Sequence, residues 1–236
     1  VDAVNAASDL IETQNKVSEI FGESTQSILD FASTSATALG QTEEQALDAA
    51  ATFAAFGSSA GLADEALVDF SSDLVVLASD LASFNNTSPE QAIDAISSAL
   101  RGSTKPIRQY QVLLDDASLR QEALALGISD GNSQLTAQQK VLSASSAIFA
   151  QTAVQQGDFQ RTSEGLANTT RILTAAVGDA KAEIGLGLVD AIEDATSAMG
   201  GSQGMANGIS KVGQEIALLT RGVGAAISEV IELKDS

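Results

Sequence analysis

The chain has 236 residues, with 31 acidic against 12 basic side chains and a formal net charge of -19. That balance opposes binding to a phosphate backbone, which needs clustered Lys and Arg, so no specific nucleic-acid binding is expected. Cysteine and histidine are both absent, which removes disulfides, thiolate metal sites and the commonest side-chain base and transition-metal ligand. Aromatic residues make up only 4 % and Trp is missing, so a core of Ala, Leu, Ile and Val favours thin, closely packed helices. No apolar run of the sequence approaches the roughly 20 residues needed to span a bilayer. The N-terminus lacks the basic and then apolar pattern of a signal peptide. Val1 stands where a whole gene product has methionine, and a fragment or processed product is expected.

In chain order the pattern reads as helix almost throughout. Ala3 to Ile20 is amphipathic, with Val4, Ala7, Leu10, Ile11, Val17 and Ile20 on one side, and Phe21-Gly22 stops it. Ile28, Leu29, Phe31, Ala32 and Ala36 form a second, weaker face that ends at Gly40. Thr42-Glu43-Glu44-Gln45 is a capping-box signal and opens a helix carrying Ala46, Leu47, Ala50, Phe53, Ala54 and Phe56. Gly57 and Gly61 bracket a turn, and the next helix runs from about Leu62 to Phe84.

The stretch from Leu74 to Asp116 organises the rest. Leu74, Leu77, Ala78, Leu81 and Phe84 share a helix face, which Asn85-Asn86-Thr87 ends. Ser88 is a good N-cap, Pro89 suits the first helical position, and Gln91 is placed to close a capping box onto Ser88. The following face holds Ala92, Ile93, Ile96, Ala99 and Leu100 and stops at Gly102. Two helices joined this closely fold back as a hairpin. Lys105-Pro106 starts a short segment from Ile107 to Leu114, in which Gln111 to Leu114 is either helical or extended. Asp115 or Asp116 caps Leu119 to Leu126, closed by Gly127. Ser129-Asp130-Gly131-Asn132 is the best candidate for a domain boundary. Thr136 and Gln139 then cap a long helix, expected through most of Ala137 to Met199 although Gly157 and Gly165 weaken it.

Gly200-Gly201-Ser202 reads as a hinge, followed by a last helix over Ala206 to Leu233. There Ile209, Val212, Ile216, Leu219, Val223, Ala226, Val230 and Leu233 alternate steps of three and four, the pattern of a coiled-coil seam. Its register runs back through Met205, Ala198, Ala195, Ala191 and Leu188 to Ile184. A helix lying on its own domain shows similar spacing, but the stripe is narrow and the outer positions are small or polar. The expected fold is all-α: a compact multi-helix domain, then long helices with a C-terminal coiled-coil-like segment. The expected divisions are a leading helix at 1–19, a helical domain with the hairpin at 20–130, a long helical segment at 131–200 and the seam at 201–236.

Chemical motifs are sparse, and no catalytic residue, cofactor site or metal site is expected. Gly102-Ser103-Thr104-Lys105 has the wrong order for a phosphate-binding loop. Glu23-Ser24 resembles the Glu-Ser pair of lytic transglycosylases, but no Gly-Leu-Met-Gln segment follows and a helix-start acid accounts for it. Asp64, Glu65, Asp69 and Asp73 read as a solvated helix side without calcium-loop spacing. Asn85, Asn86 and Asn168 open glycosylation-like triplets, better read as caps and turns. Gly185-Leu186-Gly187 and Gly204 with Gly208 are small-residue helix contacts, with Asp190, Glu193 and Asp194 opposing a membrane span.

Six blocks, in order, carry a resemblance: Ala46 to Gly57 (ALDAAATFAAFG), Asp80 to Glu90 (DLASFNNTSPE), Ala99 to Gly102 (ALRG), Val112 to Asp116 (VLLDD), Leu135 to Lys140 (LTAQQK) and Gly157 to Asn168 (GDFQRTSEGLAN). Over roughly Ile20 to Ile184 the chain resembles the tape measure proteins of long-tailed, siphovirus-type phages of actinobacteria and of related prophages. The resemblance implies a long helical virion protein, often a trimer, that fills the tail tube lumen and sets tail length. It implies partners in the tail tube protein, distal tail and tail hub proteins and tail assembly chaperones. It implies residence in the host cytoplasm during assembly and ejection ahead of the genome, with contact to the host envelope in some members. Whole family members are several times longer; as one helix this chain reaches about 350 Å at 1.5 Å per residue. The alternative reading is a helical pore-forming or envelope-remodelling effector, which glycine-rich, mildly apolar helices also suit.

The seam generates a prediction. Ile209, Val212, Ile216, Leu219, Val223, Val230 and Leu233 drive self-association; the seam alone allows a dimer, and the resemblance implies a trimer. Leu219→Asp places a charge at its centre and is expected to dissociate the assembly in analytical ultracentrifugation. A monomer at all concentrations before and after the change overturns the reading.

Overall fold

A computed structural model describes residues 2–131 and 133–197. Among the described residues every regular element is helical: α1 Asp2–Phe21, α2 Thr25–Ser33, α3 Ser35–Leu39, α4 Glu43–Ser59, α5 Asp64–Asn85, α6 Pro89–Leu100, α7 Asp116–Ala125, α8 Ala137–Gln151, α9 Asp158–Arg161 and α10 Leu166–Ser197. Short 3-10 turns occupy Gly22–Ser24 and Pro106–Tyr110. The described residues divide into two compact units, Thr13–Ala176 and a second that joins residues 2–12 to 177–197.

Within Thr13–Ala176, α5 is the central helix. It packs against α4 and α6 and also meets α2, α3 and α9. Leu67, Val68, Leu74, Val75, Leu77, Ala78, Leu81 and Ala82 are all buried, as are Ser71, Ser79 and Asp80. A helix buried on several sides needs small and apolar residues around most of its circumference, and α5 has them. Alanine dominates the facing side of α4, where Ala46, Ala50 and Ala54 are fully buried together with Leu47 and Phe53. Small side chains let the helix axes approach closely. α8 closes the unit, packing on α4, α6 and α7.

The helix starts follow the sequence signals. Thr42 accepts from the Gln45 amide at 3.1 Å while Gln45 Oε1 accepts from the Thr42 amide at 3.0 Å. Thr136 and Gln139 make the same reciprocal pair at 3.2 and 2.8 Å. The α7 box forms at Asp115, the first of the two candidate caps, with Ser118 as its partner. At α6 the cap is one-sided: Ser88 Oγ accepts from the Gln91 amide at 3.3 Å with Pro89 in the first turn, and the exposed Gln91 side chain does not complete the box.

Several expectations are corrected. Gly57 lies inside α4, not in a turn, and a Cβ there would stand 2.7 Å from Leu67 Cδ1; the glycine serves helix contact. Ile11 and Phe84, both assigned to apolar faces, are 38 % and 46 % exposed. Gln111 to Leu114 is neither helix nor strand. Its backbone is held instead by the Gln151 side chain, which accepts from Leu113 N at 2.9 Å and donates to Leu113 O at 3.0 Å. The polar loop through Gly131 joins two helices that pack together inside one unit, so it is a connection between neighbours and not a boundary. α1 passes into the first unit at Thr13, where Val17 and Phe21 are buried. The long helix expected from Ala137 is broken at 152–157 and 162–165. The Gly200 hinge, the Gly204 and Gly208 contacts and the seam lie outside the described residues.

Gly40 separates two effects that a glycine carries. It caps α3 at φ +65°, and a Cβ would come within 2.9 Å of both Arg171 Cβ and Phe159 Cζ. Gly22 has φ +54° and open space around it. Gly22→Ala is expected to cost about 1–2 kcal/mol from the left-handed backbone alone, and Gly40→Ala about 2–4 kcal/mol because overpacking adds to it. Urea unfolding of the two variants checks the difference.

Candidate functional site

The breaks after α8 have a local cause and a tertiary one. Thr152 and Thr162 turn their hydroxyls back onto the carbonyls of Ile148 and Asp158, each at 2.7 Å, a bond that competes with helix continuation. Gly157 then adopts φ +73°. The tertiary cause is a cluster of polar groups on the C-terminal half of α5 and the turn behind it.

Asp80 is only 4 % exposed. Its two oxygens accept from the backbone amides of Gly157, at 2.7 Å, and Phe159, at 3.0 Å, which open the short helix α9. Burial pushes its carboxyl above the ordinary aspartate value; the two amide bonds work against that shift, Asp158 adds to it and Arg161 opposes it. One turn on, Ser83 Oγ donates to Asp158 Oδ2 at 2.7 Å and accepts from Asn168 Nδ2 at 2.8 Å. Asn168 also donates to Thr162 Oγ1 at 2.9 Å. Asn85 Nδ2 donates to Gln155 Oε1 at 2.7 Å, and Gln155 Nε2 donates to the Tyr110 carbonyl at 3.0 Å. Arg171 donates to the Thr87 carbonyl at 2.6 Å and to Asn168 Oδ1 at 3.0 Å, and burial lowers its pKa while Glu90 raises it.

These groups form a clamp that docks residues 152–171 onto α5 and the turn between α5 and α6. A buried polar network is stabilising when its members satisfy one another, and here carboxylate, amides and hydroxyls do so. The clamp borders a cleft of about 560 Å³, lined in part by Leu39, Val76, Phe149 and Phe159. Both Asp80 oxygens are already engaged, so the carboxylate is a positioning group for α9. Among the described residues no group of three or more acidic side chains is placed to hold a metal ion, and no helix is long and apolar enough to cross a membrane. Glu23 is exposed in a 3-10 turn, and Asp64, Glu65, Asp69 and Asp73 all lie on the solvent side of α5.

The capping residues Ser88, Pro89 and Gln91 sit at the start of α6, and Thr136 and Gln139 at the start of α8. Gln139 also donates to the Ile128 carbonyl, tying α8 to the loop after α7. The self-association residues Ile209, Val212, Ile216, Leu219, Val223, Val230 and Leu233 lie outside the described residues. Sequence reasoning did not single out Asp80, Ser83, Gln155 or Asp158. Asp80 gave no local signal, since it stands four residues after Val76 and seven after Asp73, on the line of the solvated acids of α5.

Removing the Asp80 carboxylate leaves two buried amides unpaired. Asp80→Ala is expected to cost about 2–4 kcal/mol. The folded carboxyl holds its proton more tightly than the unfolded one, so the stability tied to that proton is complete below pH 3.8 and lost as pH rises through the folded-state value. The stability gap between the parent and Asp80→Ala should therefore narrow from below pH 3.8 towards neutrality, as measured by urea unfolding of both proteins across that range.

Comparison with family models, with curated proteins and with solved structures returned no match for this chain.

Proposed function

We propose that this chain is the ordered part of a phage tail tape measure protein, a structural and assembly protein that acts without catalysis. It fills the tail tube lumen, sets tail length, scaffolds tube assembly and leaves ahead of the DNA. Its partners are further copies of itself, the tail tube protein, distal tail and hub proteins and assembly chaperones. It resides in the tail lumen or tip of the virion, and in the host cytoplasm during assembly.

The observation that carries this reading is the set of six ordered sequence blocks, and the way two of them meet supports it. The block from Asp80 to Glu90 and the block from Gly157 to Asn168 are joined by hydrogen bonds from Asp80 and Ser83. Segments separated by more than seventy residues thus work as one structural unit. The all-helical character of the described residues suits a protein that must supply length, since a helix advances about 1.5 Å per residue. An acidic surface repels DNA that travels behind it.

The test is the length of tails assembled on the parent protein. In-frame deletions in its helical region should shorten tails in proportion, by up to roughly 1.5 Å per residue removed, measured by electron microscopy. Unchanged tail length overturns the ruler assignment, and leakage of lipid vesicles by the purified chain would favour the pore-forming alternative.

A further inference from the structure

We propose that the cleft beside the Asp80 clamp binds a small organic cation, an ammonium or guanidinium group carried on an apolar body. The cleft measures about 560 Å³, inside the range of roughly 300–1,000 Å³ that small-molecule sites occupy. Its floor is one stripe of α5, where Asp73, Val76, Leu77 and Asp80 are spaced by three and four. Leu39, Phe149 and Phe159 add apolar wall. Val76 is 37 % exposed although it lies well inside a helix that is buried on several sides. The walls are fixed before anything binds. Asp80 holds the Gly157 and Phe159 amides at 2.7 and 3.0 Å, and Gln156 Nε2 donates to the Phe149 carbonyl at 2.7 Å. A preformed, mostly apolar cleft spares a ligand the cost of ordering its site. α3, α5 and α9 touch pairwise, and a cleft closed at its base suits a compact free molecule better than an extended chain.

Charge decides the class of ligand. Among the described residues the cleft is lined by two charged side chains, Asp73 and Asp80, and by no Lys or Arg. Asp80 is committed to its two amides. Asp73 has no such partner. Burial raises its carboxyl above the ordinary aspartate value, and the charge of Asp69 one turn earlier adds to the shift. An anion entering the cleft meets repulsion from Asp69 and Asp73. A neutral apolar molecule covers the wall but removes water from Asp73 and gives nothing in return. A cation on an apolar body answers both demands, with its head at Asp73 and its body on Val76 and Leu77. Those positions are about one helical turn apart, so charge and apolar body should be separated by roughly 5 Å. The inference is independent of the tail assignment.

Phenethylamine and phenethyl alcohol, alike in shape and different in charge, test it by titration into the purified chain with calorimetry and amide chemical shifts as readouts. The amine should move the amides of Val76, Leu77 and Phe159, and the alcohol should bind more weakly. Asp73→Asn should weaken the amine about fivefold, the effect of one charge pair at roughly 4 Å in water, and leave the alcohol unchanged. Val76→Phe fills the floor of the cleft and should abolish the shifts from both. Circular dichroism matching the parent shows that each variant is folded. Equal binding of amine and alcohol overturns the proposal, as does the absence of shifts at those amides. An affinity untouched by Asp73→Asn also overturns it, because that is adsorption to a chain of net charge -19. Binding of a blocked tripeptide, lysine between two phenylalanines, without binding of the amine would overturn the small-molecule reading and make the cleft a protein-docking surface.

Discussion

The carboxylate of Asp80 is the constraint on which the architecture of Thr13–Ala176 depends. A buried charge is tolerated only when it is paired or richly hydrogen-bonded, and this one is satisfied by two backbone amides from a segment 77 residues away. That requirement dictates where α9 begins and forces the chain to leave α8 six residues earlier. Ser83, Asn85 and Thr87 extend the same logic down α5 and into the turn, each meeting a group from the docked segment, from Tyr110 or from Arg171.

The rest of the unit is built around small side chains. Ala46, Ala50 and Ala54 on α4, Ala78 on α5 and Ala92 on α6 are buried with almost no exposed surface. An alanine core removes less apolar area from water per residue than a leucine core, so polar clamps and reciprocal caps carry more of the specificity. Such a scaffold admits little charge into its interior. Its titratable groups are overwhelmingly acidic, and Asp80, the most deeply buried of the described acids, is committed to holding a helix start.

Acidic surplus and helix content suit the proposed role, in which length is supplied and adhesion avoided. Charges along a helix repel their neighbours in an adjacent copy and any phosphate backbone alike, while an apolar stripe remains available for specific pairing. In the described part of α10 that stripe is exposed at Leu173 and Val177, on a face other than that of the buried Ala175. One helix therefore has a covered face and an open one.

Helix class, helix starts and most core faces were legible in the sequence because they are local. Thr42, Asp115 and Thr136 each bond within one turn, and the 3.6-residue period of α5 needs no partner to be recognised. What the tertiary structure decided is where periodicity is overruled. The interval from Thr152 to Gly165 has no proline and was expected to continue the helix, yet it bends, because Asp80, Asn85 and the Tyr110 carbonyl compete for its backbone and side chains. Gly57 reads locally as a breaker and instead marks where Leu67 presses on α4. Gln111 to Leu114 has no local preference, and the Gln151 side chain settles it. A hydrogen bond between residues seventy positions apart leaves no periodic trace in the chain; only the folded arrangement, which brings the two groups within 3 Å, determines it.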